Sequence, residues 1–309
     1  MIDVILAVIL DFLLGDPYSF PHPVKLMGRI ISLEEKLARR LAKNRLQLKI
    51  AGFFITIINI GLGFFLPFFL LKLVKKYRLA YSLLNIYLIY TCIAARSLHY
   101  EAMKVKRALS IGLDEGRQRL SYIVGRDTSY LDEKGIIKAT VETVSENTSD
   151  GVIAPLLFIF LGGAPAGLMY KFINTMDSML GYNNEKYQDL GYFPAKIDDL
   201  ANYLPARITA ILMCMAALGK YKVKNGFHMV VRDGRNHKSP NAGYPEAAIA
   251  GLLGVQLGGD NIYHGLLVRK PTIGDDKCKE TREHIRDSVE LMYRTEILLL
   301  LVYIFINIG

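Results

Sequence analysis

Residues 50–71 form a run of 22 positions without one Asp, Glu, Lys or Arg. A helix needs about 20 apolar residues to cross the hydrocarbon core of a bilayer. A helix in a soluble core is seldom apolar on every side for that length. Two further charge-free runs follow, 79–95 with 17 residues and 152–170 with 19. The chain has 309 residues, 51% of them hydrophobic. These runs predict an all-α fold, a polytopic helical membrane protein. Weaker apolar segments at 4–14 (broken by Asp11), 208–219 and 297–309 bring the expected number of membrane segments to about four to six. The N-terminus has no basic residue before its apolar run, and Asp16-Pro17 follows instead of a small-residue cleavage site. No cleaved signal peptide is expected.

Polar blocks at about 15–49, 96–151, 171–207 and 220–295 alternate with the apolar ones, as the loops of one integral membrane domain. The net charge of +9 suits basic loops at a membrane surface, or attraction of anionic substrates. Nothing points to nucleic acid. The three cysteines give neither CxxC nor zinc spacing, so a disulfide framework is not expected. Residues 15–49 hold eight Lys/Arg and three acids, and residues 72–78 hold four Lys/Arg and no acid. These basic segments flank one strong span and so face opposite sides. The longer one is placed with 96–151 on the cytoplasmic side. Within the polar blocks, 32–48 reads as a basic amphipathic helix, and the 79–95 span is expected to continue as helix to Leu109. Asp114 is expected to cap a helix ending near Val124, 126–131 is a loop, and another helix covers 132–147.

On that last helix, Glu142, Glu146 and Asp150 are four residues apart. Each step of four advances only about 40° around the axis, so the acids share one face, with Ile137, Val141 and Val144 roughly opposite. Lys138 is spaced to pair with Glu142. Charged helix faces are usually just solvated, yet carboxylates at a membrane border are expensive to keep without a purpose. Such a stripe can hold Mg²⁺. In GRDT, Arg126 is built to grip a phosphate and Asp127 to orient it or bind metal; the plain alternative is an Asp-Thr turn. NTMDS and DDLANYLPAR gather Asn174, Asp177, Asp198, Asp199, Asn202 and Arg207 beside apolar runs. Arg207 inside such a run implies a partner or an anionic ligand. In RDGRNHKSPNAGYPE, His237, Ser239 and Asn241 sit in a basic loop whose backbone N–H groups suit an anion. In GDPYSFPHPV, prolines stiffen a loop holding Asp16 and His22. No P-loop, HExxH, G-x-S-x-G or dinucleotide fingerprint is present.

Taken together, PHPVKLMGRII, ARSLHYEA, IVGRDTSYLDEKGIIKATVETVSENTSDGVIAP, GGAPAGLMYKFINTMDSMLGY, DDLANYLPAR and HKSPNAGYPEAAIAGLLGVQLGG resemble the CobD/CbiB family of cobalamin biosynthesis. The similarity runs in order from about residue 11 to about residue 275. It implies an integral membrane enzyme, adenosylcobinamide-phosphate synthase, that joins adenosylcobyric acid to (R)-1-amino-2-propanol phosphate and spends ATP. A corrinoid, aminopropanol phosphate and membrane lipid are the implied partners, Mg²⁺ and ATP the implied cofactors, and the cell membrane the implied location. An oligomer is compatible with this. On that reading Glu142, Glu146 and Asp150 hold Mg²⁺ or act as base, with Asp177, Asp198 and Asp199 as second candidates. Arg126, Arg207 and Lys171 bind phosphates. His237, Ser239 and Asn241 contact aminopropanol phosphate or ATP, and Asp127, Asn174, Asn202 and His22 complete the binding set.

If 152–170 simply crossed the membrane, 171–203 would lie opposite 96–151. Gly162-Gly163-Ala164-Pro165 offers another solution, a re-entrant or broken helix centred near Gly163, tolerated at membrane depth where it lines a cavity. Broken helices and buried acids also mark transporters and channels, the competing class. The absence of an internal repeat and the long polar loops weigh against it.

Overall fold

The computed structural model describes residues 1–16, 21–182, 184–263 and 266–308. In chain order its helices are α1 (Ile2–Leu14), α2 (Pro23–Leu41), α3 (Arg45–Val74), α4 (Arg78–Tyr90), α5 (Ala95–Ile111), α6 (Leu113–Leu120), α7 (Glu133–Thr148), α8 (Ala154–Leu180), α9 (Tyr192–Ala201), α10 (Tyr203–Ala216), α11 (Val223–Asp233), α12 (Gly243–Leu253) and α13 (Arg282–Ile308). A π-helical turn, Ser149–Ile153, joins α7 to α8. Among the described residues, four helical stretches are long and apolar enough to cross a membrane: Arg45–Val74, Arg78–Ile111, Glu133–Leu180 and Arg282–Ile308. The second is interrupted by a turn at 91–94. The third is broken inside α8. The fold is that of an all-α polytopic membrane protein. Within the expected membrane domain, contacts cluster into two compact units.

The first unit comprises Met1–Ala94 and Ala154–Asn202. Its α3 has 30 residues, about 45 Å of helix at 1.5 Å per residue. It turns Phe54, Phe65, Leu66 and Phe69 outward, as lipid-facing side chains do. Its other face meets α8, where Gly63 lets the backbones approach; a Cβ there would lie 2.8 Å from Met169 Cα. Asn44 caps α3 by accepting from Gln47 N at 2.9 Å. That cap divides the single helix expected over 32–48 into the end of α2 and the start of α3. Pro23 at its first turn starts α2 early, because proline has no N–H to lose there. His22 caps it, Nδ1 accepting from Val24 N at 3.2 Å. Part of the expected stiff loop, residues 17–20, lies outside the described residues.

The break in α8 falls where the glycines predict it. Gly162 has φ −142° and ψ 18°, and Gly163 has φ 68° and ψ −163°, the second a region reserved for glycine. Pro165 then opens the second arm. Phe158 and Tyr170 stack with ring centroids 4.9 Å apart. Twelve residues of straight helix would separate them by about 18 Å, so the chain doubles back into a helical hairpin. Gly167 seats the arms: a Cβ there would lie 2.6 Å from Ile159 Cγ1. The first arm, residues 154–161, continues from α7 through the π-helical turn and ends at the break at Gly162 and Gly163. The 152–170 run is therefore not one continuous crossing.

The second unit comprises Ala95–Ile153 and Tyr203–Gly309. Helix α7 packs against α5, α6, α12 and α13, burying Ile136, Ile137, Val141 and Val144. Asp132 caps it, accepting from Gly135 N at 2.7 Å. Three local expectations change. Helix α6 starts at Leu113 after Gly112 and ends at Leu120, because Asp114 turns to Arg117 at 2.8 Å instead of capping. Lys138 pairs with Glu280 at 3.1 Å, because Glu142 is occupied elsewhere. Two short ribbons were not foreseen. β1 (Leu257–Gly258) pairs antiparallel with β4 (Thr272–Ile273), with Leu257 opposite Ile273. β2 (Asn261–Tyr263) pairs antiparallel with β3 (Leu266–Val268), with Asn261 opposite Val268.

Candidate active site

The second unit encloses a cavity of about 230 Å³. Helix α7 contributes Glu142, Thr143, Glu146 and Asn147; the 123–126 loop contributes Arg126; His237 comes from the loop before α12 and Glu246 from α12. The ribbons close it with Gly258, Asn261 and Lys270. The Arg126 guanidinium donates to Glu142 Oε2 at 2.6 Å and to Asn261 Oδ1 at 2.9 Å. Gly258 N donates to Glu142 Oε1 at 2.7 Å. Both oxygens of Glu142 are thus engaged, and the pair is buried, with side chains 13% and 6% exposed. Asn261 Nδ2 donates back to Gly259 O at 3.0 Å, and Asp127 N donates to Ile262 O at 2.9 Å, so the loop and the ribbon fix one another.

Two groups on this wall are held neutral. Burial, then the Lys270 charge, push the His237 imidazole down to about 4, below any pH at which it would be charged in a cell. Its Nδ1 accepts from Ser239 N at 3.0 Å, so the proton sits on Nε2, which lies 3.9 Å from Glu246 Oε1. Burial pushes the Glu246 carboxyl well above the ordinary range, and the charges of Glu142 and Glu146 add to this; the neutral acid is favoured. Ser239 Oγ accepts from Asn241 N and Ala242 N at 3.2 and 3.3 Å, which makes it the brace of the His237 loop. Arg207 stacks on the rings of Tyr203 and Tyr244, 3.5 and 4.2 Å from their centroids, and donates to Asn241 Oδ1 at 3.3 Å. The partner that its apolar setting demanded is therefore two aromatic faces and an amide.

The first unit carries a separate polar cluster on the second arm of α8 and on α9. Asp198 is buried, 8% exposed. Its Oδ2 accepts from Asn202 Nδ2 at 3.0 Å, and Asn202 Oδ1 accepts from Tyr170 at 2.8 Å. Oδ1 of Asp198 is buried without a hydrogen-bond partner. Burial, with Asp177 and Asp199 nearby, pushes this carboxyl up to about 7. Lys171 and Asn174 project from the same arm. Asp199 meets Lys196 at 3.5 Å, and His22 Nε2 lies 3.2 Å from Asp16.

A family model described as CobD/Cbib protein matches residues 4–292. The chain is 51% identical to the cobalamin biosynthesis protein CobD of Clostridium acetobutylicum over 99% of its own length and 98% of that protein. It is 48% identical to the protein of that name from Geobacter metallireducens, over 96% and 94%. Against the Citrobacter koseri protein the identity is 42%, over 97% and 95%. This chain belongs to the CobD/CbiB family. No solved structure matches it. As a family member it takes part in cobalamin biosynthesis.

Within this CobD/CbiB chain the predicted residues separate by unit. Arg126, Glu142, Glu146 and His237 meet at one cavity, with Ser239 and Asn241 bracing its loop. Asp150, on the π-helical turn, is not among the residues lining that cavity. Lys171, Asn174, Asp177, Asp198, Asp199 and Asn202 belong to the first unit. The expected Mg²⁺ stripe does not converge: Glu142 is taken by Arg126 and Gly258, and among the described residues no three of His, Cys, Asp and Glu are grouped to hold a metal. Sequence reasoning missed Glu246, Asn261 and Lys270. Glu246 stood inside a motif already singled out, in the first turn of α12. Asn261 and Lys270 lie on and beside ribbons too short to give a periodic signal.

Proposed function

We propose that this chain forms an amide between a propionate carboxylate of adenosylcobyric acid and the amine of (R)-1-amino-2-propanol phosphate, giving adenosylcobinamide phosphate with ATP spent. The observation that carries this reading is the cavity holding Arg126, Lys270, Glu146, Glu246 and neutral His237, in a chain matched over nearly its whole length by cobalamin biosynthesis proteins. Amide formation from a carboxylate at neutral pH needs activation. ATP transfers its terminal phosphoryl group to the carboxylate; the amine attacks the acyl carbon, loses a proton, and phosphate leaves. The chain's part is to neutralise phosphate charge, orient the amine and accept that proton. Mg²⁺, carried by the nucleotide, would supply charge neutralisation of the phosphates. The protein is read as a multi-pass protein of the cell membrane with residues 96–151 in the cytoplasm.

The test is direct. Purified protein in detergent, given adenosylcobyric acid, aminopropanol phosphate and Mg-ATP, yields adenosylcobinamide phosphate by mass spectrometry. ADP appears in step with product. No product under any nucleotide condition sinks the reading. The broken hairpin of α8 favours one second reading, transport of a corrinoid or other anion. Counterflow of labelled corrinoid into liposomes without amide formation would establish that alternative.

A further inference from the structure

In the first unit, helices α2 and α3 enclose an apolar groove of about 470 Å³. Leu37 and Leu41 of α2 form one wall, and Ile50, Phe54 and Ile58 of α3 form the other. All five side chains are exposed, so the groove opens outward. Glu34 closes its inner end, with Oε2 accepting from Asn59 Nδ2 at 2.6 Å. The mouth lies at the linker between the helices, where Gln47 Oε1 accepts from Lys43 N at 2.6 Å. The α3 wall starts at Ile50, where the charge-free run 50–71 also starts. From Gln47 to Ile58 the groove follows α3 for about 16 Å. One leaflet is about as deep, roughly 15 Å, half of a 30 Å hydrocarbon core.

Width selects the occupant. Spread over that length, the volume leaves a section roughly 6 Å across. A helix from a second copy is about 10–12 Å across with its side chains, too wide to enter. An extended hydrocarbon chain is about 4 Å thick, the contact distance between carbons, and fits. Charge selects the headgroup. Lys36 and Arg40 share a face of α2; with Lys43 they are exposed and enter no ion pair among the described residues. The acids of this stretch are engaged, Glu34 by Asn59, and Glu35 by Arg39 at 2.9 Å and Lys186 at 3.8 Å. The mouth is therefore positive. We propose that the α2–α3 groove holds one acyl chain of an anionic phospholipid, with its phosphate at Arg40 and Lys43. Lys36 adds to the positive potential there.

Native mass spectrometry of the full-length protein in detergent tests this. The probes are dioleoyl phosphatidylglycerol and dioleoyl phosphatidylcholine, which carry the same chains and differ in net charge. One phosphatidylglycerol per chain is expected to bind about tenfold more tightly than phosphatidylcholine, since each cation near a membrane surface contributes about fivefold. Ala51 lines the groove, and Ala51→Phe puts a ring into it, which is expected to remove the bound lipid. Ile58→Trp, at an exposed position, serves if the first variant does not fold. Arg40→Gln combined with Lys43→Gln is expected to bring the two lipids to equal affinity while a lipid still binds. Equal affinity in the unaltered protein overturns the proposal, as does phosphatidylglycerol binding that survives both groove-filling variants. A preference for phosphatidylglycerol that survives the double charge variant overturns the placement of the phosphate. Dimer ions that vanish in Ala51→Phe give the groove to a second copy and overturn the lipid assignment.

Discussion

Arg126, foreseen as a phosphate ligand, serves in the fold as a brace. Its guanidinium ties Glu142 on α7 to Asn261 on β2, with both members of the ion pair buried. Removing one partner of a buried pair strands the other charge, at a cost of about 3–5 kcal/mol. Arg126→Ala is therefore expected to destabilise by about that much and to abolish activity. Thermal unfolding with a fluorogenic thiol dye checks this, since buried Cys92 and Cys214 become reactive on unfolding. A loss below about 1 kcal/mol would place the pair in the class of solvated bridges. Asp198 supplies a pH-dependent test. Its carboxyl rises from 3.8 to about 7 on folding. Between those values the folded state holds a proton that the unfolded state has lost, so its contribution to stability falls as pH rises through that window. Asp198→Asn never ionises. Its melting temperature relative to wild type is expected to be higher at pH 8 than at pH 5; an unchanged difference refutes the shift.

The elements divide by how local their causes are. The break in α8 was legible because Gly-Gly-Ala-Pro states it in four residues: a positive-φ glycine followed by a proline that suits only a helix start. The acidic face of α7 was legible because period alone puts Glu142 and Glu146 together. What they face was not. Asn261 is 135 residues from Arg126 along the chain and Gly258 is 116 from Glu142; neither lies on an element long enough to announce itself. Caps explain the misplaced boundaries, with Asn44 starting α3 and Asp114 choosing Arg117. The hairpin makes its own prediction. Gly163→Ala forces a side chain into φ 68°, ψ −163°, which costs about 1–3 kcal/mol. Gly61→Ala, inside helical α3 with only Phe65 Cδ2 near its Cβ at 3.9 Å, is expected to be tolerated. Equal melting temperatures for the two variants would mean the turn re-forms without glycine.

At the scale of the molecule, the charge-free runs decided that the chain belongs in a membrane, while the orientation rests on which basic segment faces the cytoplasm. Helix α3 is the place to decide it. It is one stretch of 30 residues, longer than the roughly 20 needed to span, and Lys43 and Lys76 lie just beyond its two ends. If it crosses, those positions are on opposite sides. The heavier cluster of Lys and Arg at 15–49 then places Lys43 inside and Lys76 outside. Single cysteines at each position, in a background lacking Cys278, report this through a membrane-impermeant maleimide on intact cells. The Lys76→Cys protein is expected to label without permeabilisation and the Lys43→Cys protein only after it. The reverse pattern inverts the topology; labelling of both in intact cells means α3 does not cross. Helix α3 carries that test because it has no counterpart to the break at Gly163: its length and its outward Phe and Leu side chains are those a continuous crossing needs, whereas α8 turns back on itself.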